Sequence, residues 1–328
     1  MKTNHHHISL PVLDSVSHVE ALSRFVCLHR EQVRAAVEDW GHLMGKVPGW
    51  KHPCHFSDDT EETARWIFLL DVLNHCFWAG RGEELWRIRY RGEEYSGYWG
   101  LAAALKRALE RGYPLTDAAF LSRMTMRELE SILAGTGTIP LLEARLANVR
   151  EAGRILIARW RGDIVHLIEQ AQESAVQLVW HVVESFPSFR DEAQYKGGRI
   201  FFWKRAQIFA ADLSAAYGGE GLGCFHDLRR LTAFADYKLP QVLRQLGILC
   251  YAPCLAAKVD GLEELKPGSE EEVEIRALTI LAVEECRKAF IGLGSPVTST
   301  QVDSWLWHLG QHERFRQKPY HRSRTIFY

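Results

Sequence analysis

Residues 63–78 read TARWIFLLDVLNHCFW. From Trp66 to Trp78 ten of thirteen residues are apolar, and the three polar ones are Asp71, Asn74 and His75. A run this apolar with helical spacing predicts a helix buried nearly all round, at the centre of a helical protein. Asp71, Asn74 and Trp78 stand at i, i+3 and i+7, which would put an acid, an amide and an indole on one wall. That trio suits a planar heterocycle: an amide donates and accepts at a ring edge, a carboxylate accepts from amines, and an indole stacks. The same residues would serve equally as an interior hydrogen-bond network, since buried polar groups are nearly always partnered.

Outward from this segment the helical patterns continue. Ser17 with Glu20, Asp58 with Glu61, and Thr125 with Glu128 have capping-box spacing, the first of them ahead of one long helix through Trp40. Further helices are predicted at about 98–111, 141–158, 163–185, 203–217, 240–249, 270–291 and 301–312. LWRIRYR at 85–91 alternates Trp86, Ile88 and Tyr90 with arginines, the pattern of a half-buried strand, and EEYSGYW would return as its hairpin partner. Residues 199–203 read as another short strand. The expected class is mainly α, with residues 10–328 as a single compact domain carrying a small β-hairpin and residues 1–9 as a flexible N-terminus. His5, His6 and His7 are either natural or a tag remnant and are set aside from any metal argument.

Composition narrows the function. The 328 residues are 47% hydrophobic and 25% charged, ordinary for a globular protein with a sizeable core. No apolar run approaches the roughly 20 residues that span a bilayer, and no signal-peptide h-region opens the chain, so no membrane partner and a cytoplasmic address are expected. Forty basic residues face 41 acidic ones. That balance argues against gripping long nucleic acid, whose affinity rests on many phosphate contacts. Seven cysteines without paired CxxC units argue against a disulfide framework and a structural zinc site, and Pro253 separates the spaced pair Cys250 and Cys254. No GxGxxG or Walker loop follows a strand; the Gly218–Gly223 loop has the wrong spacing, and no cofactor or metal is expected.

Chemistry concentrates in two places. LTAFADYKLPQVLRQLG at 231–247 sets Asp236 in an apolar stretch just before a helix that Pro240 would open. There the helix N-terminus favours a carboxylate while Phe234, Ala235 and Leu239 hold off bulk water, although a helix cap or an ion pair with Lys238 or Arg244 accounts for the acid as well. Lys204 and Arg205 open the helix KRAQIFAADLSAAY, where cations oppose the helix dipole and a phosphate would satisfy both. Asp212 lies two turns on. Arg314, Arg316, Lys318, Arg322 and Arg324 make a second basic cluster in the tail, which reads equally as a solvated face.

Six ordered blocks carry a family resemblance: HFSDDTEETARWIFLLDVLNHCFW, GYWGLAAALKRAL, FPSFRDEAQYKGGRIFFWKRAQIFAADL, LTAFADYKLPQVLRQLGIL, EEEVEIRALTILAVE and PYHRSRTIFY. Together they resemble the queuosine salvage proteins, the queuosine 5′-phosphate N-glycosidase family, over nearly the whole chain. The resemblance implies a fold similar to helix-hairpin-helix DNA glycosylases and hydrolysis of queuosine 5′-monophosphate to queuine and ribose 5-phosphate, feeding queuine to tRNA modification. It implies Asp236 as the catalytic carboxylate, Lys204 as the phosphate contact and Asn74 as a base contact. Asp71 and Asp227 are further candidates at the base, and Tyr237, His321 and Arg322 at the phosphate. His75 and Ser214 stand where the family pattern favours aromatics. A DNA or tRNA base glycosylase of related fold and a non-catalytic, Trp-rich helical scaffold are the competing readings.

Overall fold

The computed structural model describes residues 9–46 and 49–328; the His5–His7 triplet lies outside them. In chain order the elements are α1 (Val12–Leu22), β1 (Val26–Leu28), α2 (Arg30–Trp40), α3 (Glu61–Leu73), β2 (Arg87–Tyr90), β3 (Glu93–Ser96), α4 (Gly97–Glu110), α5 (Ala118–Arg123), α6 (Met126–Ile132) and α7 (Leu142–Arg159). There follow α8 (Ile164–Gln170), α9 (Ala175–Ser185), β4 (Glu192–Tyr195), β5 (Gly198–Phe201), α10 (Lys204–Ala216), α11 (Lys238–Gln245), β6 (Leu249–Tyr251), α12 (Pro253–Asp260), α13 (Glu270–Gly292) and α14 (Ser299–Leu309). The protein is mainly helical. No described helix is long and apolar enough to cross a membrane.

The apolar interior has two main parts. One is built on α3, which is buried on almost every side, and gathers α4 to α10; the other is built on α13 with α1, α2, α11 and α14. Leu10 and Phe201 pack against both. The buried guanidinium of Arg276 on α13 helps to join them: it pairs with both oxygens of Asp191, which precedes β4, and donates from Nε to the carbonyl of Ala235. A buried charge pair of this kind costs desolvation, but each partner is strongly needed by the other.

Several local expectations give way to tertiary contacts. The long helix expected through Trp40 breaks at Ser23, because Glu274 accepts the main-chain N–H groups of Arg24, Phe25 and Val26 at 2.6–3.1 Å and the next residues pair as β1 with β6. Ser17 is then inside α1, its hydroxyl on the Leu13 carbonyl. Thr60, not Asp58, caps α3, accepting from the Glu62 N–H; the Thr125–Glu128 box forms as expected. The 163–185 helix is two helices, separated where Gln172 and Glu173 take left-handed backbone angles. Instead of one hairpin there are, among the described residues, two, β2–β3 and β4–β5, besides the long-range β1–β6 pair. Helix α11 starts at Lys238, so Leu239 is helical despite preceding Pro240.

The end of α3 matters most for the site. The helix stops at Leu73, and residues 74–78 are not helical. Arg205 donates to the carbonyls of Asp71 and Val72, Arg145 takes those of Leu73, His75 and Cys76, and Cys76 turns the chain at φ 44°. Two buried guanidinium groups thus satisfy the helix's last carbonyls, a favourable place for cations. Trp78 therefore does not share a helix face with Asp71 and Asn74. It packs with Cys76, Tyr237 and Tyr328.

Candidate active site

The segment leading to Asp236 has no secondary structure of its own and is held from three helices. Gln207 of α10 bonds the main-chain N–H and hydroxyl of Thr232, Asp303 of α14 accepts the Phe234 N–H at 2.7 Å, and Arg276 of α13 donates to the Ala235 carbonyl at 3.1 Å. So pinned, Asp236 meets the start of α11, where its Oδ1 accepts the N–H groups of Lys238 (2.7 Å) and Leu239 (3.0 Å). The capping role open at the sequence level is real. Both capping bonds use Oδ1, however, and the carboxylate also lines a cavity. Arg244 is engaged elsewhere, by Asp260.

The cavity holds about 400 Å³, within the range of small-molecule sites. Asn74, Lys204, Asp236 and Tyr237 line it together. Asn74 arrives as the C-cap of α3, with its amide 3.4 Å from Asp71 Oδ1. Lys204 arrives as the first residue of α10. Burial draws the Lys204 ammonium below the usual lysine range, and Asp236 is the largest opposing influence, with Asp71 and Asp303 adding to it.

Further acids surround these groups. Asp303 and Asp212 line the cavity, and burial lifts both well above the usual carboxylate range; Asp71, completely buried beside Asn74, is lifted to about 7, again by burial first. Such carboxyls hold protons that ordinary acids would have lost and become hydrogen-bond donors. One oxygen of Asp71 and one of Asp212 are buried without a protein partner. Aromatic side chains also line the cavity: Tyr98, Trp99 and Trp307 meet edge to face. His55 is fixed among them, Nδ1 on the Trp50 carbonyl at 2.7 Å and Nε2 2.8 Å from the Tyr98 hydroxyl. Because a carbonyl only accepts, Nδ1 carries the proton and Nε2 accepts from Tyr98. Burial pulls His55 down to about 4, so it is neutral.

Lys238 and the exposed Arg316 line both this cavity and a neighbouring recess of about 550 Å³. The buried part of the site thus sets Lys204 among several acids, while Lys238 and Arg316 make the side toward that recess basic.

Other expected residues lie elsewhere. Asp227 accepts from the Ser174 hydroxyl and the Ala175 N–H, securing the start of α9, and does not line the cavity. His321 is buried with Nε2 3.1 Å from the Tyr328 hydroxyl, and Tyr328, not His321, reaches the cavity. Arg322 lines the recess beyond, over the ring of Trp78. Arg205 binds main-chain carbonyls, including that of Ser188, rather than facing the cavity with Lys204. His75 is fully buried near Asn148 and neither it nor Ser214 lines the cavity. Asp303 was legible in principle: it interrupts the apolar stripe of Val302, Trp305, Leu306 and Leu309 on α14.

A family model described as "Queuosine salvage protein" matches residues 54–328, which include every one of these cavity residues except Gly49 and Trp50. The chain belongs to the queuosine salvage protein family. Relatives agree over almost their full length. One from Sphaerobacter thermophilus is 47% identical over 97% of this chain and 98% of its own, and one from Mus musculus is 38% identical over 96% and 98%. A Schizosaccharomyces pombe relative is 32% identical over 88% and 90%. All three are named queuosine 5′-phosphate N-glycosylase/hydrolase.

Proposed function

We propose that this chain hydrolyses the N-glycosidic bond of queuosine 5′-monophosphate, releasing queuine and ribose 5-phosphate. The observation that carries the reading is Asp236: a carboxylate fixed at a cavity wall by two main-chain N–H groups, beside Lys204 and Asn74, in a chain of this family. Breaking an N-glycosidic bond builds positive charge on the ribose, and a preorganised carboxylate at C1′ stabilises that state. The departing base is a 7-deazapurine, which has no N7 lone pair to protonate. Stabilisation must come from hydrogen bonds at its other edges. Asn74 supplies an amide there, supported by Asp71 behind it, and the raised carboxyls of Asp212 and Asp303 supply donors on the buried side.

Lys204, for which Asp236 is the strongest favourable charge, serves the 5′-phosphate side of the substrate, with Tyr237 and, nearer the recess, Lys238 and Arg316 completing a basic end. Binding of the phosphate, remote from the reacting bond, holds the sugar over the carboxylate. The small volume of the cavity, about 400 Å³, and a net charge of −1 favour a free nucleotide over long nucleic acid. The likeness to helix-hairpin-helix glycosylases belongs to the same proposal.

Incubating the purified chain with queuosine 5′-monophosphate and detecting free base by chromatography tests it. Stoichiometric queuine with ribose 5-phosphate is expected. No release from the monophosphate, or release only from intact tRNA, would sink the assignment.

A further inference from the structure

Away from the cavity, Cys27, His29 and Cys250 bring two thiols and an imidazole together: one ligand atom from each lies within 4.8 Å of the other two. Cys27 and Cys250 are 223 positions apart in the chain, so their spacing gives no hint of the group. The fold makes it. Cys27 on β1 and Cys250 on β6 are direct partners of an antiparallel pair, which sets their side chains side by side on one face. His29 follows Cys27 by two residues in extended backbone, returning its ring to that face, and its main-chain N–H on the Ile248 carbonyl at 2.8 Å fixes its position.

The geometry points to a bound divalent metal ion of zinc type at Cys27, His29 and Cys250. In a tetrahedral site with Zn–S near 2.3 Å and Zn–N near 2.0–2.1 Å, neighbouring sulfur and nitrogen ligands stand about 3.6 Å apart. Cys27 Sγ and His29 Nε2 are 3.4 Å apart. The other imidazole nitrogen, Nδ1, has the exposed carboxylate of Glu31 nearby, Oε1 at 3.8 Å, too far for a hydrogen bond but on the side from which a carboxylate orients a metal-bound imidazole. Two thiolates would neutralise a dication, and a sulfur-rich donor set selects zinc and softer ions over magnesium or calcium. Three protein donors leave a fourth position for water or an added ligand.

None of the three lines the active-site cavity, so the ion has no part in the proposed hydrolysis. It would fasten β1 to β6, the strand three residues beyond the end of α11, and so act as a clip on the helix that Asp236 caps. Metal binding there releases thiol protons and adds to folding stability.

The test uses the full chain, reduced and freed of metal by chelator. Titration with Co(II) should give one equivalent bound with a thiolate-to-metal charge-transfer band, Zn(II) should displace it, and zinc should raise the melting temperature. Cys27→Ser and Cys250→Ser should each abolish both the band and the zinc-dependent shift. His29→Ala should weaken binding by at least about tenfold. Cys254→Ser, removing another exposed thiol at the start of α12, should change nothing. Binding at the His5–His7 triplet would carry no thiolate band. Absence of the band in the reduced wild type, its persistence in Cys27→Ser or Cys250→Ser, or a Cys27–Cys250 disulfide forming in preference to the zinc complex would overturn the site.

Discussion

The Asp303 carboxylate accepts the Phe234 main-chain N–H at 2.7 Å, so an acid buried in α14 holds the segment that delivers Asp236 two residues later. The same carboxyl lines the cavity. Asp303 thus has two separable duties, as an acceptor for the backbone and as a polar group toward substrate. Asp303→Ala removes both and strands a part-buried N–H, which should cost about 1–3 kcal/mol of stability together with most of the turnover. Asp303→Asn keeps an acceptor for Phe234. It should fold nearly as well as wild type, so that any remaining fall in kcat reports the cavity role alone. Equal melting temperatures for the Ala variant and wild type would refute the backbone duty.

Asp236→Asn preserves an oxygen to accept the Lys238 and Leu239 N–H groups. The melting temperature should therefore move little. Turnover of queuosine 5′-monophosphate should fall by at least about 10²–10³, the usual effect of removing one preorganised charge-stabilising group. Retained turnover in a well-folded Asn variant would remove Asp236 from the chemistry and leave it a helix cap.

Lys204→Met keeps the length and apolar stem of the side chain while deleting its charge. Loss of a charged partner for phosphate is worth about 1.5–3 kcal/mol, or roughly 10–100-fold in affinity. The variant should therefore weaken the monophosphate by about that factor and the unphosphorylated nucleoside far less. Equal losses on both ligands, measured by calorimetry with a turnover-deficient background, would mean that Lys204 serves Asp236 and not the phosphate.

Local pattern in the sequence revealed the helices, because apolar periodicity records which face is buried; α4, α7, α10 and α13 begin and end within two residues of expectation. It failed where partners distant in the chain decide. Nothing near Leu73 foretells that Arg145 and Arg205 will take the last carbonyls of α3 and turn Trp78 away from Asn74. Nothing near Ser23 foretells the Glu274 carboxylate. For the site, Asp236 and Asn74 stand out in the sequence as an acid and an amide in apolar company and Lys204 as a cation at a helix start, whereas Tyr237 comes only with the family resemblance; the four line one cavity. Asp227 comes only with the resemblance, and the structure uses it to secure the start of α9.

Asp71 should leave a signature in the pH dependence of stability. Burial raises its folded pKa to about 7, against an ordinary value of 3.8. Below the lower value both folded and unfolded chains hold the proton, and above the higher one neither does. Between them the unfolded state releases a proton that the folded state keeps, so ΔG of unfolding falls as pH rises from about 4 to about 7 and then levels. His55 works the other way: lowered to about 4 from 6.5, it adds stability as pH rises across much of the same window. Asp212 and Asp303, also lifted by burial, follow Asp71, so the wild-type profile alone would mix several groups. Asp71→Asn keeps the side-chain size and removes the Asp71 contribution together with the upward push Asp71 gives Asp212, so the stability of the variant relative to wild type should climb by at least about 1 kcal/mol, the worth of less than one pKa unit, between pH 4 and pH 7. Denaturant unfolding at successive pH values measures that difference; a flat difference would mean that Asp71 ionises in the folded protein as it does in water.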